Sequence, residues 1–122
     1  MLEKILFGLL GIGLAYKFKE NRDDKARMRI PCSFTKDITK LEFEDAVRKS
    51  AIGIKRLKNI EIDGPLVYGT VKSQSGLHLW NFKLDFNDYG IVSGNYWIYS
   101  ENSDSEIPQI LAKRIQDEIY SR

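Results

Sequence analysis

One cysteine and one histidine in 122 residues remove most familiar routes to chemistry. With Cys32 alone, neither an intrachain disulfide nor an all-cysteine metal site can form. A reactive thiolate would want a basic partner to lower its pKa, and none is evident in the sequence, so a small, semi-buried thiol is expected. His78, the single imidazole, falls into no recognisable motif with a serine or cysteine and reads as a strand-end residue. Neither charge dominates, since 19 Lys/Arg face 17 Asp/Glu. Even that small excess is local. Residues 1–31 hold seven Lys/Arg and four Asp/Glu, and the other 91 residues hold twelve and thirteen. The basic balance therefore belongs to the N-terminal segment, which argues against a nucleic-acid-binding domain. Internal repeats and low-complexity tracts are lacking too, and the length suits one domain with one modest core.

Long apolar runs are equally scarce, and the exception is informative. Residues 5–16 are unbroken apolar residues and glycine, followed at once by a charged stretch. Twelve helical residues span about 18 Å against a hydrocarbon core of about 30 Å, which is too short. Extension from Met1 to Phe18, with Glu3, Lys4 and Lys17 reaching toward headgroups, gives about 27 Å, which a thin bilayer accepts. Such a helix is apolar all round and needs lipid, its own domain or another copy to cover it. Ile5, Leu6, Leu9, Leu10 and Leu14 are the expected membrane-attachment residues, while Gly8, Gly11 and Ala15 allow close helix approach. Two alternatives stay open. One is a cleaved signal peptide, with Lys4 as a minimal basic start and Gly13-Leu14-Ala15 as a cleavage-like site. The other is a helix packed on its own domain or in a homo-oligomer. Lys17, Lys19, Arg22, Lys25, Arg27 and Arg29 suit an anionic membrane surface, diluted by Glu20, Asp23 and Asp24; a solvated linker explains them equally well. The expected location is the cytoplasmic face of a membrane, with cytoplasmic and secreted protein as alternatives.

The chain divides into a hydrophobic helix (1–19), a charged linker and extended segment (20–38) and an α+β domain (39–122). Thr39 and Glu42 form a capping box, and the spacing predicts a helix over residues 40–56. Phe43, Ala46, Val47, Ser50, Ala51 and Ile54 make its apolar face. Asp63-Gly64-Pro65, Gln74-Ser75-Gly76 and Asp88-Tyr89-Gly90 then cut residues 59–100 into four strands. Three-residue loops would pair Ser73 with Leu77 and Asn87 with Ile91. That register puts Trp80, Phe82, Leu84 and Phe86 opposite Ile98, Tyr96, Gly94 and Val92, with Leu66, Tyr68, Thr70, Ile60 and Ile62 continuing the apolar face. A last helix opens at Ser105 with Pro108 in its first turn, and carries Ile107, Ile110, Leu111, Ile115 and Ile119. The fold predicted is a two-layer α+β sandwich: helix, four-stranded antiparallel meander, helix, preceded by the N-terminal hydrophobic helix.

Other motifs point to structure more than to chemistry. Asp85, Asn87, Asp88 and Gly90 resemble the start of a calcium loop, but Tyr89 and Tyr96 occupy positions where ligands are needed. Glu101, Asp104 and Glu106 suit a turn and a helix start, and Gly11-Ile12-Gly13 lacks the rest of a dinucleotide fingerprint. Arg48-Lys49 and Lys55 to Lys58 read as a solvated helix face. No metal or cofactor is called for, and no enzyme.

The opposite sheet face is the candidate surface. The expected register places Val67, Val71, Leu79, Trp97 and Tyr99 there, among Gly69, Asn81, Lys83 and Asp85. Val71, Leu79, Trp97 and Tyr99 would bind a protein or peptide partner if nothing covers them. The alternative is that the N-terminal segment, or residues 31–34, folds across them. Nucleic acid stacking on Trp97 and Tyr99, with Lys72 and Lys83 nearby, is a third and less favoured use.

Tyr68-Gly69-Thr70-Val71, Ser73-Gln74-Ser75-Gly76, Trp80, the run from Asp85 to Gly90, Gly94, Tyr96-Trp97 and Ser100-Glu101-Asn102 together resemble a group of short bacterial proteins of unknown function. The resemblance implies a bacterial origin and a shared fold; it brings no activity, cofactor or catalytic residue. The resulting expectation is a non-catalytic accessory or protein-interaction module held at a membrane by its N-terminal helix.

Overall fold

Thr39 ends the incoming chain and begins a helix, because its Oγ1 accepts the Glu42 backbone N–H at 3.1 Å and satisfies one donor that the first turn leaves open. The computed structural model describes residues 30–35 and 38–122. The expected N-terminal helix, with Ile5, Leu6, Leu9, Leu10 and Leu14, lies outside the described residues, as do residues 20–29 of the charged linker. The elements in order are β1 (Ser33–Phe34), α1 (Lys40–Ala51), β2 (Leu57–Asp63), β3 (Leu66–Lys72), β4 (Leu79–Asp85), β5 (Ile91–Val92), β6 (Trp97–Ser100) and α2 (Ile107–Tyr120).

Helix α1 is shorter than its periodicity predicts. Ile52 turns extended and Gly53 takes φ +83°, a conformation that glycine adopts without a Cβ penalty. The Arg114 guanidinium of α2 donates to the Ile52 carbonyl at 3.2 Å, placing a cation where the helix dipole is negative. The two helices lie side by side on one face of an antiparallel sheet ordered β2-β3-β4-β6. Phe43, Val47, Leu111 and Ile115 meet Val67, Val71, Phe82 and Leu84 in one core. This is the expected α+β architecture, with two corrections to its register.

The first correction turns one strand over. Ser73 N–H donates to the His78 carbonyl, so the β3–β4 loop holds four residues, Gln74 to Leu77, and Val71 pairs with Trp80 instead of falling out of step with it. One extra loop residue inverts β3, because alternate side chains point to opposite faces. Val67, Gly69 and Val71 therefore face the helices, and Leu66, Tyr68 and Thr70 face away. Ile60 and Ile62 pair with Gly69 and Val67 and do continue the helix-facing side.

The second correction lies between β4 and β6. The turn after Asp85 closes tightly on Tyr89 and Gly90 through an isolated antiparallel bridge between Asp88 and Ile91, one residue off the expected Asn87–Ile91 pair, and does not run on into the sheet. Leu84 pairs with Ile98 and Phe82 with Ser100, a shift of four residues from the expected register. An even shift preserves the faces, so Ile98 still joins the core. The intervening residues are drawn elsewhere. Ile91 and Val92 pair in parallel with Ser33 and Phe34, while Gln116 of α2 donates to the Gly94 carbonyl and Gln109 to the Tyr96 hydroxyl. Phe34 packs on Phe43, and Phe43 on Phe86, with ring centroids 5.8 and 5.4 Å apart. Residues 33–34 are thus used at β5 and in the core, and do not lie across the second face. The packed unit includes β1 and the fully buried Ile38, both ahead of the expected boundary at residue 39.

Candidate functional site

The sheet face turned away from the helices is built in rows by the cross-strand pairing. Asp63, Leu66, Asp85 and Trp97 form one row, and Tyr68, Lys83 and Tyr99 the centre of the next, with Glu61 at its edge. Thr70 and Asn81 follow, joined by a Thr70 hydroxyl donating to Asn81 Oδ1 at 3.0 Å. The Glu101 carboxylate accepts the Asn81 N–H at 3.0 Å, which extends the β4–β6 edge past Ser100. Lys72 and Leu79 close the far end.

Of the four residues expected to bind a partner, the structure brings three to this face. Leu79 is 67% exposed, and Trp97 and Tyr99 are half-buried. Val71 is elsewhere: it is fully buried against the helices, because the four-residue loop inverts its strand. Tyr68, Thr70 and Leu66 take the places given to Val71 and Val67. The signal that could have found them is the length of the Gln74–Leu77 loop, with Gly76 at φ +77°.

Charge on this face is unusually deep. Lys83 is 1% exposed and Asp85 is fully buried. The Lys83 ammonium lies 4.5 Å from the Tyr99 ring centroid, within the range of cation–π attraction. Tyr68, its neighbour on the other side, has its phenol pushed up to about 12, first by burial and then by the carboxylates of Asp63 and Asp85. Both effects disfavour a phenolate. Tyr89 stands edge-on to Trp97 with centroids 6.3 Å apart.

The Asp85 to Gly90 run explains itself as loop architecture. The Asp85 carboxylate accepts the Asn87 N–H at 2.8 Å, and Asn87 Oδ1 accepts the Gly90 N–H at 2.7 Å. Asn87 Nδ2 donates to the Ile30 carbonyl at 3.0 Å, and Ser33 N–H to the Gly90 carbonyl at 2.9 Å. A side chain on Gly90 would meet Ile30. The loop therefore fastens the entering chain to the end of the sheet. Among the described residues, no group of three or more His, Cys, Asp or Glu could hold a metal ion.

No protein family, curated protein or solved structure matches the chain.

The remaining chemistry-bearing side chains are dispersed. Cys32 is half-buried, and its thiol is pushed up by burial and then by the Asp85 carboxylate, an acidic neighbour where a nucleophile would want a base. His78 is exposed at the β3–β4 loop, its backbone N–H donating to Ser73 Oγ. Glu106, in the acidic patch, occupies the N-cap of α2, and Ser105 Oγ accepts the Ile107 N–H at 3.4 Å. Among the described residues, no helix is long and apolar enough to cross a membrane.

Proposed function

We propose that this chain is a non-catalytic accessory or protein-interaction module attached to a membrane by its N-terminal helix, with the second sheet face as its working surface. The observation that carries the reading is that, among the described residues, the helices lie on one side of the sheet. Both described helices lie on one face, and the other presents Leu79, Trp97 and Tyr99 among polar side chains. Large aromatic residues on a rigid sheet are suited to holding a protein or peptide partner. The membrane half of the reading rests on the apolar residues 5–16 and the basic residues after them, a pattern that suits the cytoplasmic side. Nucleic acid is a poorer partner for this surface, since the burial of Lys83 leaves Lys72 as the accessible cation of the pair.

Cosedimentation of the full chain with phosphatidylglycerol vesicles tests the attachment. The protein should pellet with the vesicles, and a Leu6→Asp, Leu10→Asp variant should remain in the supernatant. Equal behaviour of the two proteins, bound or unbound, would refute the anchor. Trp97→Ala combined with Tyr99→Ala should leave vesicle binding intact, which separates attachment from recognition.

A further inference from the structure

Where the β3–β4 loop meets the start of α2, four stretches of chain enclose a cavity of about 480 Å³, a volume typical of small-ligand sites. Arg56 comes from the turn before β2, Gln74 from the β3–β4 loop, Trp80 from β4, and Asp104, Glu106 and Ile107 from the loop that enters α2. Trp80 and Ile107 also belong to the core between sheet and helices. The cavity is therefore on the helix side, apart from the aromatic face described above.

Two features of its lining are left over by the fold. Arg56, Asp104 and Glu106 bring charges of both signs into one cavity, yet among the described residues none of these side chains makes an ion pair or a hydrogen bond. Elsewhere such charges do close on each other, as Asp45 does with Lys49 and Arg122. The second feature is Trp80. Its ring is 8% exposed and packs on Phe82, but its indole N–H, a donor only, has no hydrogen-bond partner among the described residues. A buried tryptophan usually has one. Arg56 is also held at φ +72°, a conformation uncommon outside glycine, asparagine and aspartate. Its carbonyl accepts the Lys72 N–H at 2.8 Å, a bond that any residue could make, so the fold gives no reason for an arginine there.

We infer that this cavity binds a small zwitterion with an apolar side chain, of the amino acid or dipeptide class. Its carboxylate is taken by the Arg56 guanidinium and the Trp80 indole N–H, its ammonium by Asp104 and Glu106, and its apolar part by Ile107 and the Trp80 ring. A simple anion would face two carboxylates, and a simple cation would face Arg56. A ligand carrying both signs gives every one of these groups an opposite partner, and charge-assisted hydrogen bonds are the strong ones. The inference is independent of the membrane and partner readings above, which concern other residues.

Nitrogen–proton NMR titration of the full chain tests it, with leucine and leucyl-leucine as probes and the Trp80 indole N–H as reporter, assigned by its loss in Trp80→Phe. At least one probe should shift that resonance saturably by about 10 mM. Two derivatives of the tighter probe then remove one charge each: the C-terminal amide and the N-acetyl form. Each should bind at least about tenfold more weakly. Arg56→Gly, which suits φ +72°, should weaken the zwitterion about tenfold and leave the amide unchanged, whereas Arg56→Lys should restore part of the loss. Asp104→Asn combined with Glu106→Gln should weaken the zwitterion and leave the N-acetyl form unchanged. No saturable shift from either probe would overturn the proposal, as would equal binding of a probe and its derivatives. Those comparisons use the unaltered protein, so they decide the matter even if a variant fails to fold. Variants that all bind like the parent chain would refute the assigned groups.

Discussion

Gly69→Ala should destabilise this domain even though the same change in an ordinary strand helps. Gly69 lies in the middle of β3, directly opposite Phe82, with backbone dihedrals any residue can adopt. On backbone grounds alone, alanine in a strand gains about 0.5–1 kcal/mol over glycine. Against that, a Cβ at this position would overlap the Phe82 ring. The ring is fully buried and packed against Trp80, centroids 6.4 Å apart, so it cannot swing into solvent. Overpacking of this kind costs about 1–3 kcal/mol. The overlap is with the body of a rigid ring, which places the cost toward the upper part of that range, and the net loss is about 1–2 kcal/mol after the backbone gain. At roughly 4–8 °C per kcal/mol for a domain of this size, the midpoint should fall by about 4–16 °C. Thermal and urea unfolding followed by circular dichroism measure it. Phe82→Leu supplies the control, since removal of the ring should make the Gly69→Ala step much cheaper, with a coupling of about 0.5–3 kcal/mol. An unchanged or raised midpoint for Gly69→Ala, or strict additivity with Phe82→Leu, would refute the reasoning.

Three further outcomes are expected. Thr39→Ala removes the α1 cap and should cost about 1 kcal/mol in urea unfolding, with Thr39→Ser nearly neutral. Ser50→Ala should be neutral or stabilising by up to about 1 kcal/mol, because the buried Ser50 hydroxyl has no hydrogen-bond partner among the described residues and alanine is the better helix former. Tyr68 should make the fold sensitive to alkali. Its phenol is raised to about 12 in the folded chain, so its contribution is complete below the unfolded value near 10 and is lost as pH rises through about 12. The rise from about 10 to about 12 corresponds to at most about 3 kcal/mol, and less once solvent screening of this partly exposed phenol is counted. Stability of the full chain measured from pH 9 to 12 should therefore fall more steeply than that of Tyr68→Phe, and parallel curves would show that the phenol does not titrate as described.

Local chemistry carried most of the secondary structure. Thr39 and Glu42 announced α1, Asp63-Gly64-Pro65 announced the β2–β3 turn, and Pro108 with its isoleucine stripe announced α2. Gly53 was also legible as a helix stop, but the apolar period continuing to Ile54 concealed it. The candidate face was less legible. Trp97, Tyr99 and Leu79 were placed on it from alternation alone, whereas Val71 was assigned to the wrong side because alternation gives the phase within a strand and not between strands. That phase depends on whether the hairpin closes at Ser73–Leu77 or Ser73–His78, a difference of one residue that local sequence scarcely penalises. The depth of Lys83 and Asp85 was not foreseen, since their residue types alone suggest solvent.

By itself, then, the order of residues determined what is short-range: two amphipathic helices, strands of alternating pattern, the turns between them and the uneven charge that sets residues 1–31 apart. Those follow from caps, periodicity and backbone preference, which act over a few residues. Register, face and burial were decided by the tertiary structure. The β4–β6 pairing slid by four residues because β1 captured Ile91 and Val92 while Gln109 and Gln116 held Tyr96 and Gly94, and every one of those partners is distant in the chain. Which surface remains available to a partner is therefore a property of contacts between distant residues, and no local pattern encodes it.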